Sequence, residues 1–132
     1  MYSSSIESSI VAAHFASKFL SPGGLLVLPG AACADSATPW AISYGAMKAG
    51  VHQLVKSLSA GGLPAGSSVV GIAPIMLDTA MNRSSMPDSD FSAWTPTSVV
   101  AEQIYSWTSA LPQSGTVFKI QTVSNVTAFN PI

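Results

Sequence analysis

The chain has 132 residues, of which 48% are hydrophobic and 8% charged, and its formal net charge is −1 at pH 7. This length suits a single domain with one core, and so few charges predict elements that are buried on more than one side. With only 5 Lys and Arg residues and no basic cluster, the composition argues against nucleic acid or an anionic membrane as a partner.

Residues 3–20 are predicted to form a helix, because serines that can cap it precede an apolar pattern and a Pro-Gly-Gly sequence follows it. Its apolar side chains fall on two sides of the helical wheel. One side has Ile6, Ile10, Ala13 and Leu20, and the other has Val11, Phe15 and Phe19. A helix with two apolar sides needs two partners, for example its own sheet and a second subunit.

The rest of the chain alternates predicted strands and helices. Strands are predicted at three apolar or alternating runs: residues 25–28, 68–73 and 116–123. Two further helices are predicted over residues 44–59 and 97–111. Loops are predicted over residues 30–43, 75–97 and the tail to Ile132.

This alternation is typical of an α/β fold with a parallel sheet. Ligands of such sheets bind beyond the carboxyl ends of the strands. The segments after the strands at residues 25–28 and 68–73 are therefore expected to line one crevice, beside the start of the helix at residues 44–59.

Tyr44 and Lys48 are the candidate catalytic pair, because residues four apart lie about one turn apart on a helix. An unperturbed phenol has a pKa of about 10. We expect the Lys48 ammonium to lower the pKa of Tyr44, which would then act as a general acid. The spacing also fits a core-edge aromatic beside a solvated charge.

The remaining polar residues predict no metal site and no carboxylate pair. Cys33 is the only cysteine, which excludes an intrachain disulfide and fits a reducing, cytoplasmic setting. His14 and His52 are expected to have packing or surface roles. Asp78 is expected to cap a loop and Asp90 to be a solvated charge. The apolar run at residues 10–20 is too short to span a bilayer.

Several motifs resemble the carboxyl-terminal half of the short-chain dehydrogenase/reductases, and within them the dihydropteridine reductases. The Tyr-x-x-x-Lys motif is shared across the superfamily, whereas residues 77–96 are more specific. The segments that carry the likeness are Gly23-Gly24-Leu25-Leu26, Tyr44-Gly45, Lys48-Ala49-Gly50-Val51-His52-Gln53-Leu54, Leu77-Asp78-Thr79, Met81-Asn82-Arg83, Ser85-Met86-Pro87, Asp90-Phe91-Ser92 and Trp94-Thr95-Pro96.

The resemblance implies a three-layer Rossmann-like domain that reduces quinonoid dihydropteridine to tetrahydropteridine with NADH or NADPH. Tyr44 would donate a proton or position the substrate, and Lys48 would bind the nicotinamide ribose. Thr79 and the backbone from Pro74 to Leu77 would hold the carboxamide end of the cofactor. The family's dimer would be built from the helices at residues 3–20 and 44–59.

The chain also departs from the superfamily pattern. Ala31 occupies the position of the usual serine, as in dihydropteridine reductases, and Ile75 replaces a common glycine. The Gly-rich turn that binds the cofactor's pyrophosphate has no counterpart. We therefore expect residues 1–132 to be one truncated domain, the nicotinamide and substrate half.

Two alternatives stay open at this stage. The chain is either a pterin reductase, or a non-catalytic fragment or paralogue that dimerises with itself or with a full-length reductase. The apolar residues of the segment 75–97 either fill the core or form a flap that faces the pterin. These residues are Met76, Met81, Met86, Phe91 and Trp94.

Overall fold

A computed structural model describes residues 2–132 of the chain. In this range four α-helices follow one another: α1 (Ser8–Phe19), α2 (Ile42–Ser59), α3 (Ala80–Ser85) and α4 (Thr97–Ser109). The strands of the same range are β1 (Leu25–Pro29), β2 (Ser68–Pro74), β3 (Leu77–Asp78), β4 (Thr95–Pro96), β5 (Val117–Val123) and β6 (Val126–Pro131). A π-helical turn (Ser3–Glu7) leads into α1, and short 3-10 turns lie at Ala32–Asp35 and Phe91–Ala93.

The main sheet has the strand order β1-β2-β5-β6. The first three strands are parallel, and β6 pairs with β5 in the antiparallel direction. β3 and β4 form a separate two-stranded parallel sheet. The prediction of an α/β fold with a mainly parallel sheet is confirmed.

Helices cover both faces of the main sheet, which gives three layers. Val51 and Val55 of α2 pack in the core with Val69 and Val117. Phe118 points to the opposite face, since successive strand residues alternate. There it stacks on Trp107 of α4, with ring centroids 4.8 Å apart.

Helix α1 buries small residues and exposes large ones. Its buried positions are Ser9, Ala13 and Ala16, which let it approach the rest of the domain closely. Phe15 and Phe19 are 57% and 75% exposed. The predicted stripe of Val11, Phe15 and Phe19 thus finds no cover within the described chain. Ile10 departs from the prediction, because it is 45% exposed instead of packing beside Ala13.

The predicted loop after Val123 is wrong, because this segment forms β6. Ser124 and Asn125 have φ angles of 48° and 62° and join β5 to β6, with Val123 paired to Val126. Positive φ at both central residues is the requirement of the tight hairpin turn whose twist matches that of the strands. Asparagine adopts positive φ angles readily, whereas serine does so less often. For this reason the sequence Ser124-Asn125 did not predict a hairpin turn.

The predicted loop at residues 75–97 is also more ordered than expected. The Thr79 hydroxyl accepts a hydrogen bond from the Asn82 N–H at 3.2 Å and so caps α3. The Asp90 carboxylate caps the 3-10 turn, accepting from the Ser92 N–H at 2.9 Å. Asp78 pairs with Arg83 at 2.7 Å. The expected role of Asp78 as a cap is therefore wrong, whereas Asp90 is an exposed charge, as expected, and also caps the turn.

The boundaries of the predicted helices move slightly. α2 begins at Ile42 and not at Tyr44, after a turn in which the Ala41 N–H donates to the Thr38 carbonyl at 2.9 Å. α4 ends at Ser109, two positions before the predicted end at Leu111. Among residues 2–132 no helix is long and apolar enough to cross a membrane.

Candidate active site

A cavity of about 640 Å³ lies at the carboxyl ends of β1 and β2. Its wall combines the turn after β1, the segment after β2 and the first turn of α2, so the predicted crevice is confirmed. The lining residues are Ala31, Ala32, Cys33, Trp40, Tyr44, Pro74, Ile75, Met76, Leu77, Asn82 and Lys119. Most of this surface is apolar, with the Tyr44 phenol, the Asn82 amide and the Lys119 ammonium as polar groups.

Tyr44 and Lys48 lie together, one turn apart on α2. The Lys48 Nζ is 5.7 Å from the centroid of the Tyr44 ring. Tyr44 is half-buried and lines the cavity, whereas Lys48 is only 8% exposed and is not part of the cavity wall. Its ammonium donates a hydrogen bond to the Pro29 carbonyl at 2.8 Å. Lys48 therefore joins α2 to the end of β1.

The expected lowering of the Tyr44 pKa is wrong. Burial raises the pKa of Tyr44, and the electrostatic effect of the nearby Cys33 acts in the same sense. Burial also lowers the pKa of Lys48, which Cys33 partly opposes. Desolvation is thus the largest effect on both groups, and the Lys48 ammonium donates its hydrogen bond to the Pro29 carbonyl.

Only some of the predicted cofactor-binding residues line the cavity. Pro74 and Leu77 line the cavity together with Tyr44. Thr79 does not line it, since its hydroxyl caps α3. Asn82 lies in the wall instead, and its Nδ2 donates to the Leu77 carbonyl at 2.8 Å. Asn82 thus fixes the backbone at which the carboxamide was expected to bind.

Lys119, Trp40 and Cys33 are among the lining residues that were not predicted as site residues. Lys119 is the lysine of β5, in register with Ala73 near the end of β2. The available signal was that it is the charged residue of its strand. Trp40 is 72% exposed at the rim, and Cys33 lies beside Tyr44 and Lys48. Nothing in their spacing marks them, because both lie in a loop whose course the sequence does not define.

The apolar residues of the segment 75–97 have different positions. Met76 faces the cavity, as a ligand-facing flap residue would. Trp94 is 7% exposed and fills the core, and it meets the half-buried Phe91 edge to face with ring centroids 4.7 Å apart. Met81 is 77% exposed. The core-filling alternative therefore holds for Trp94, and the pterin-facing flap stays a prediction, for which Met76 has a suitable position.

The two histidines also differ. His14 is exposed on α1, and His52 is buried on α2, in agreement with the predicted surface and packing roles. Among residues 2–132, no group of three or more His, Cys, Asp or Glu side chains is placed to hold a metal ion.

A family model described as enoyl-(acyl carrier protein) reductase, of the short-chain dehydrogenase/reductase type, matches residues 1–109. The chain belongs to the short-chain dehydrogenase/reductase family. The resemblance found in the sequence motifs is thereby confirmed. A protein of Dictyostelium discoideum named dihydropteridine reductase is 42% identical over 134 residues, which cover 98% of this chain and 58% of that protein.

The fold of this short-chain dehydrogenase/reductase is found in solved structures. A protein of Burkholderia cenocepacia assigned as a dehydrogenase, with bound NADP, superposes with a TM-score of 0.71 at 19% identity. The superposition covers 92% of this chain and 52% of that one. The chain thus spans little more than half the length of the relatives it matches.

Proposed function

We propose that this protein is an NAD(P)H-dependent oxidoreductase that reduces quinonoid dihydropteridine to tetrahydropteridine. The observation that carries the proposal is the Tyr44 phenol in the wall of a largely apolar cavity, at the carboxyl ends of two parallel strands. The 42% identity to a protein named dihydropteridine reductase supports the choice of a pterin. The matched relative is longer than this chain, which covers 58% of it. Reductase activity of this chain is therefore a proposal.

The cavity suits a nicotinamide ring on one side. Pro74, Ile75 and Leu77 provide an apolar wall for a flat ring, and Asn82 stabilises the Leu77 backbone beside it. The Ile75 side chain occupies part of the space that a glycine would leave open, so the ring would contact side-chain methyl groups. NADH or NADPH, when bound there, supplies the hydride.

Tyr44 is proposed as the proton donor. With a pKa raised above its ordinary value of about 10, the phenol is protonated at neutral pH and can donate. Lys48 lies one helical turn after Tyr44. It donates a hydrogen bond to the Pro29 carbonyl and places a positive charge near the Tyr44 phenol. In a complex it would also be the donor to the nicotinamide ribose. Thr79 would act at the carboxamide end through the cap that it gives to α3, the helix that carries Asn82.

The other wall suits the pterin. Trp40 and Met76 offer polarisable surfaces to a flat bicyclic ring, and Cys33 and Ala31 leave space beside Tyr44. A serine at position 31 would add a hydroxyl to this wall. Ala31 therefore leaves Tyr44 as the hydroxyl-bearing side chain of the cavity lining.

The test is oxidation of NADH or NADPH in the presence of quinonoid dihydropterin, followed by absorbance. We expect Tyr44→Phe to lower kcat by about 10² to 10⁴, the usual contribution of a positioned acid. Tyr105→Phe is the matched control, because Tyr105 is 78% exposed on α4 and does not line the cavity. Equal rates in Tyr44→Phe and wild type would refute the assigned role.

A second candidate function is dimerisation without catalysis, with a second copy or a longer reductase. The exposed stripe of Val11, Phe15 and Phe19 on α1 favours it, because such side chains gain most from being covered. We propose a homodimer through residues 3–20 and 44–59 in either case. A cytoplasmic location suits the free Cys33.

Sedimentation and calorimetry separate the two candidates. Dimers that the double variant Phe15→Ser/Phe19→Ser abolishes, together with no measurable binding of NADH or NADPH, would favour the non-catalytic function. Dimers that persist in this variant would contradict the proposed interface. Tyr105→Ser, which also removes an exposed aromatic, is the control for a general loss of solubility.

A further inference from the structure

His52 is a buried polar residue that the proposed chemistry does not use. It lies on α2 and is 6% exposed. Its Nε2 accepts a hydrogen bond from the Ala31 N–H at 3.3 Å, and its Nδ1 is 3.4 Å from the Asp35 carboxylate. Both partners belong to the turn after β1 that forms one wall of the cavity.

These contacts define the protonation state of the imidazole. Nε2 can accept from Ala31 only when it carries no hydrogen, so the ring hydrogen must lie on Nδ1, facing Asp35. Burial lowers the pKa of His52, Asp35 opposes this shift, and the charges of Lys56 and Lys48 add to it. Burial and the two lysines thus favour the neutral imidazole, Asp35 favours the charged one, and burial is the largest of these effects.

His52 and Lys48 hold the same short segment of backbone. Lys48 binds the Pro29 carbonyl, and one helical turn further His52 binds the Ala31 N–H. Between them the Gly30 N–H donates to the Ile72 carbonyl at 2.8 Å, which continues the pairing of β1 with β2. A Cβ at Gly30 would lie 2.4 Å from the His52 Nε2, so the ring packs directly against this glycine.

We propose that His52 is a positioning residue of the active site, which holds the backbone of residues 29–33 against α2. Through this backbone it sets the place of Ala31 and Cys33 in the cavity wall and of the carbonyl that binds Lys48. Asp35 keeps the imidazole in the tautomer that can accept from Ala31. The effect on turnover rests on the proposed reductase function, whereas the effect on the segment does not.

The first test is independent of activity. Nuclear magnetic resonance of the imidazole nitrogens should show His52 as the Nδ1–H tautomer at pH 7, with His14 as an exposed reference on α1. The Ala31 amide should exchange faster with solvent in His52→Leu than in His14→Leu. An Nε2–H tautomer, a doubly protonated ring at pH 7 or an unchanged Ala31 amide would overturn the inference.

The second test measures turnover. We expect His52→Leu to lower kcat by about tenfold to a hundredfold, since small misplacements of an active site have effects of this size. His52→Gln, whose side-chain oxygen can accept from the Ala31 N–H, should recover most of the loss, and Tyr105→Phe on the exposed side of α4 should match wild type. A folded His52→Leu protein with wild-type kcat would overturn the positioning role.

A wild-type protein without reductase activity would contradict the proposed reductase function, but it would not contradict the positioning role of His52. In that case the Tyr44 and Lys48 resonances decide the question. Their shifts should change in His52→Leu and stay constant in Tyr105→Phe. Unchanged resonances in His52→Leu would again overturn the inference.

Discussion

Gly30→Ala is the sharpest perturbation of the contact between β1 and α2. The added Cβ would meet the His52 Nε2 at 2.4 Å, its Cδ2 at 2.6 Å and the Ile72 carbonyl oxygen at 3.3 Å. Favourable contacts between such atoms lie at about 3.5–4.0 Å. The imidazole must therefore move, and the Ala31 N–H loses its acceptor.

The structure gives the size of the effect. Forcing extra volume into a packed site costs about 1–3 kcal/mol, and a buried donor without an acceptor costs about 1–3 kcal/mol more. We expect Gly30→Ala to lower the free energy of unfolding by about 4 kcal/mol. In a His52→Ala background the ring is gone, only the Ile72 contact stays tight, and the same change should cost less than about 1 kcal/mol.

The assay is a double-mutant cycle of urea unfolding, followed by tryptophan fluorescence and extrapolated to water. The four proteins are wild type, Gly30→Ala, His52→Ala and the double variant. We expect a coupling energy of about 3 kcal/mol between the two positions. A coupling energy below about 0.5 kcal/mol would refute the packing of His52 on Gly30 and weaken the proposal for His52.

Two further predictions concern buried polar groups. Thr122→Val should lower the free energy of unfolding by about 1–3 kcal/mol, because the Thr122 hydroxyl is hydrogen-bonded to the Thr95 hydroxyl at 2.8 Å and to the Thr127 hydroxyl at 2.9 Å. Thr127→Val, at the more exposed end of this chain of hydroxyls, should cost about 1 kcal/mol or less. Equal losses of stability in urea unfolding would contradict this prediction. For Lys48, burial lowers the folded-state pKa below the unfolded value of about 10.4, so the unfolded chain binds more protons between these two values and stability rises with pH there. In Lys48→Met the free energy of unfolding, measured at a series of pH values up to about 10.4, should no longer show this rise. The same pH dependence in wild type and Lys48→Met would contradict the prediction.

The sequence predicted the elements that depend on local pattern. The apolar runs of β1 and β2 and the Tyr44 to Lys48 turn of α2 lie where they were expected. β6 escaped prediction because its turn uses serine at a position with positive φ, and because its exposed face is half apolar. Pairing with β5, and not the pattern of β6 itself, makes this segment a strand.

The candidate site was predictable in its place and less so in its electrostatics. Strand order brings Tyr44, Pro74 and Leu77 to one edge, which follows from the alternation of strands and helices. The rise in the Tyr44 pKa comes from burial and from the nearby Cys33, and the spacing of Tyr44 and Lys48 predicts neither. The contact of His52 with Asp35 likewise needs the path of the turn after β1.

The alignment of Tyr44, Lys48 and His52 on one helix has a mechanical consequence. A helix of 18 residues is a rod about 27 Å long, and these side chains project from successive turns of it. Because Lys48 and His52 fasten the backbone of residues 29–31 to this rod, the phenol and the wall beside it must shift as one body. The Gly30 to Ile72 hydrogen bond ties this same unit to β2, which ends at Pro74, so a single continuous framework carries both walls of the cavity.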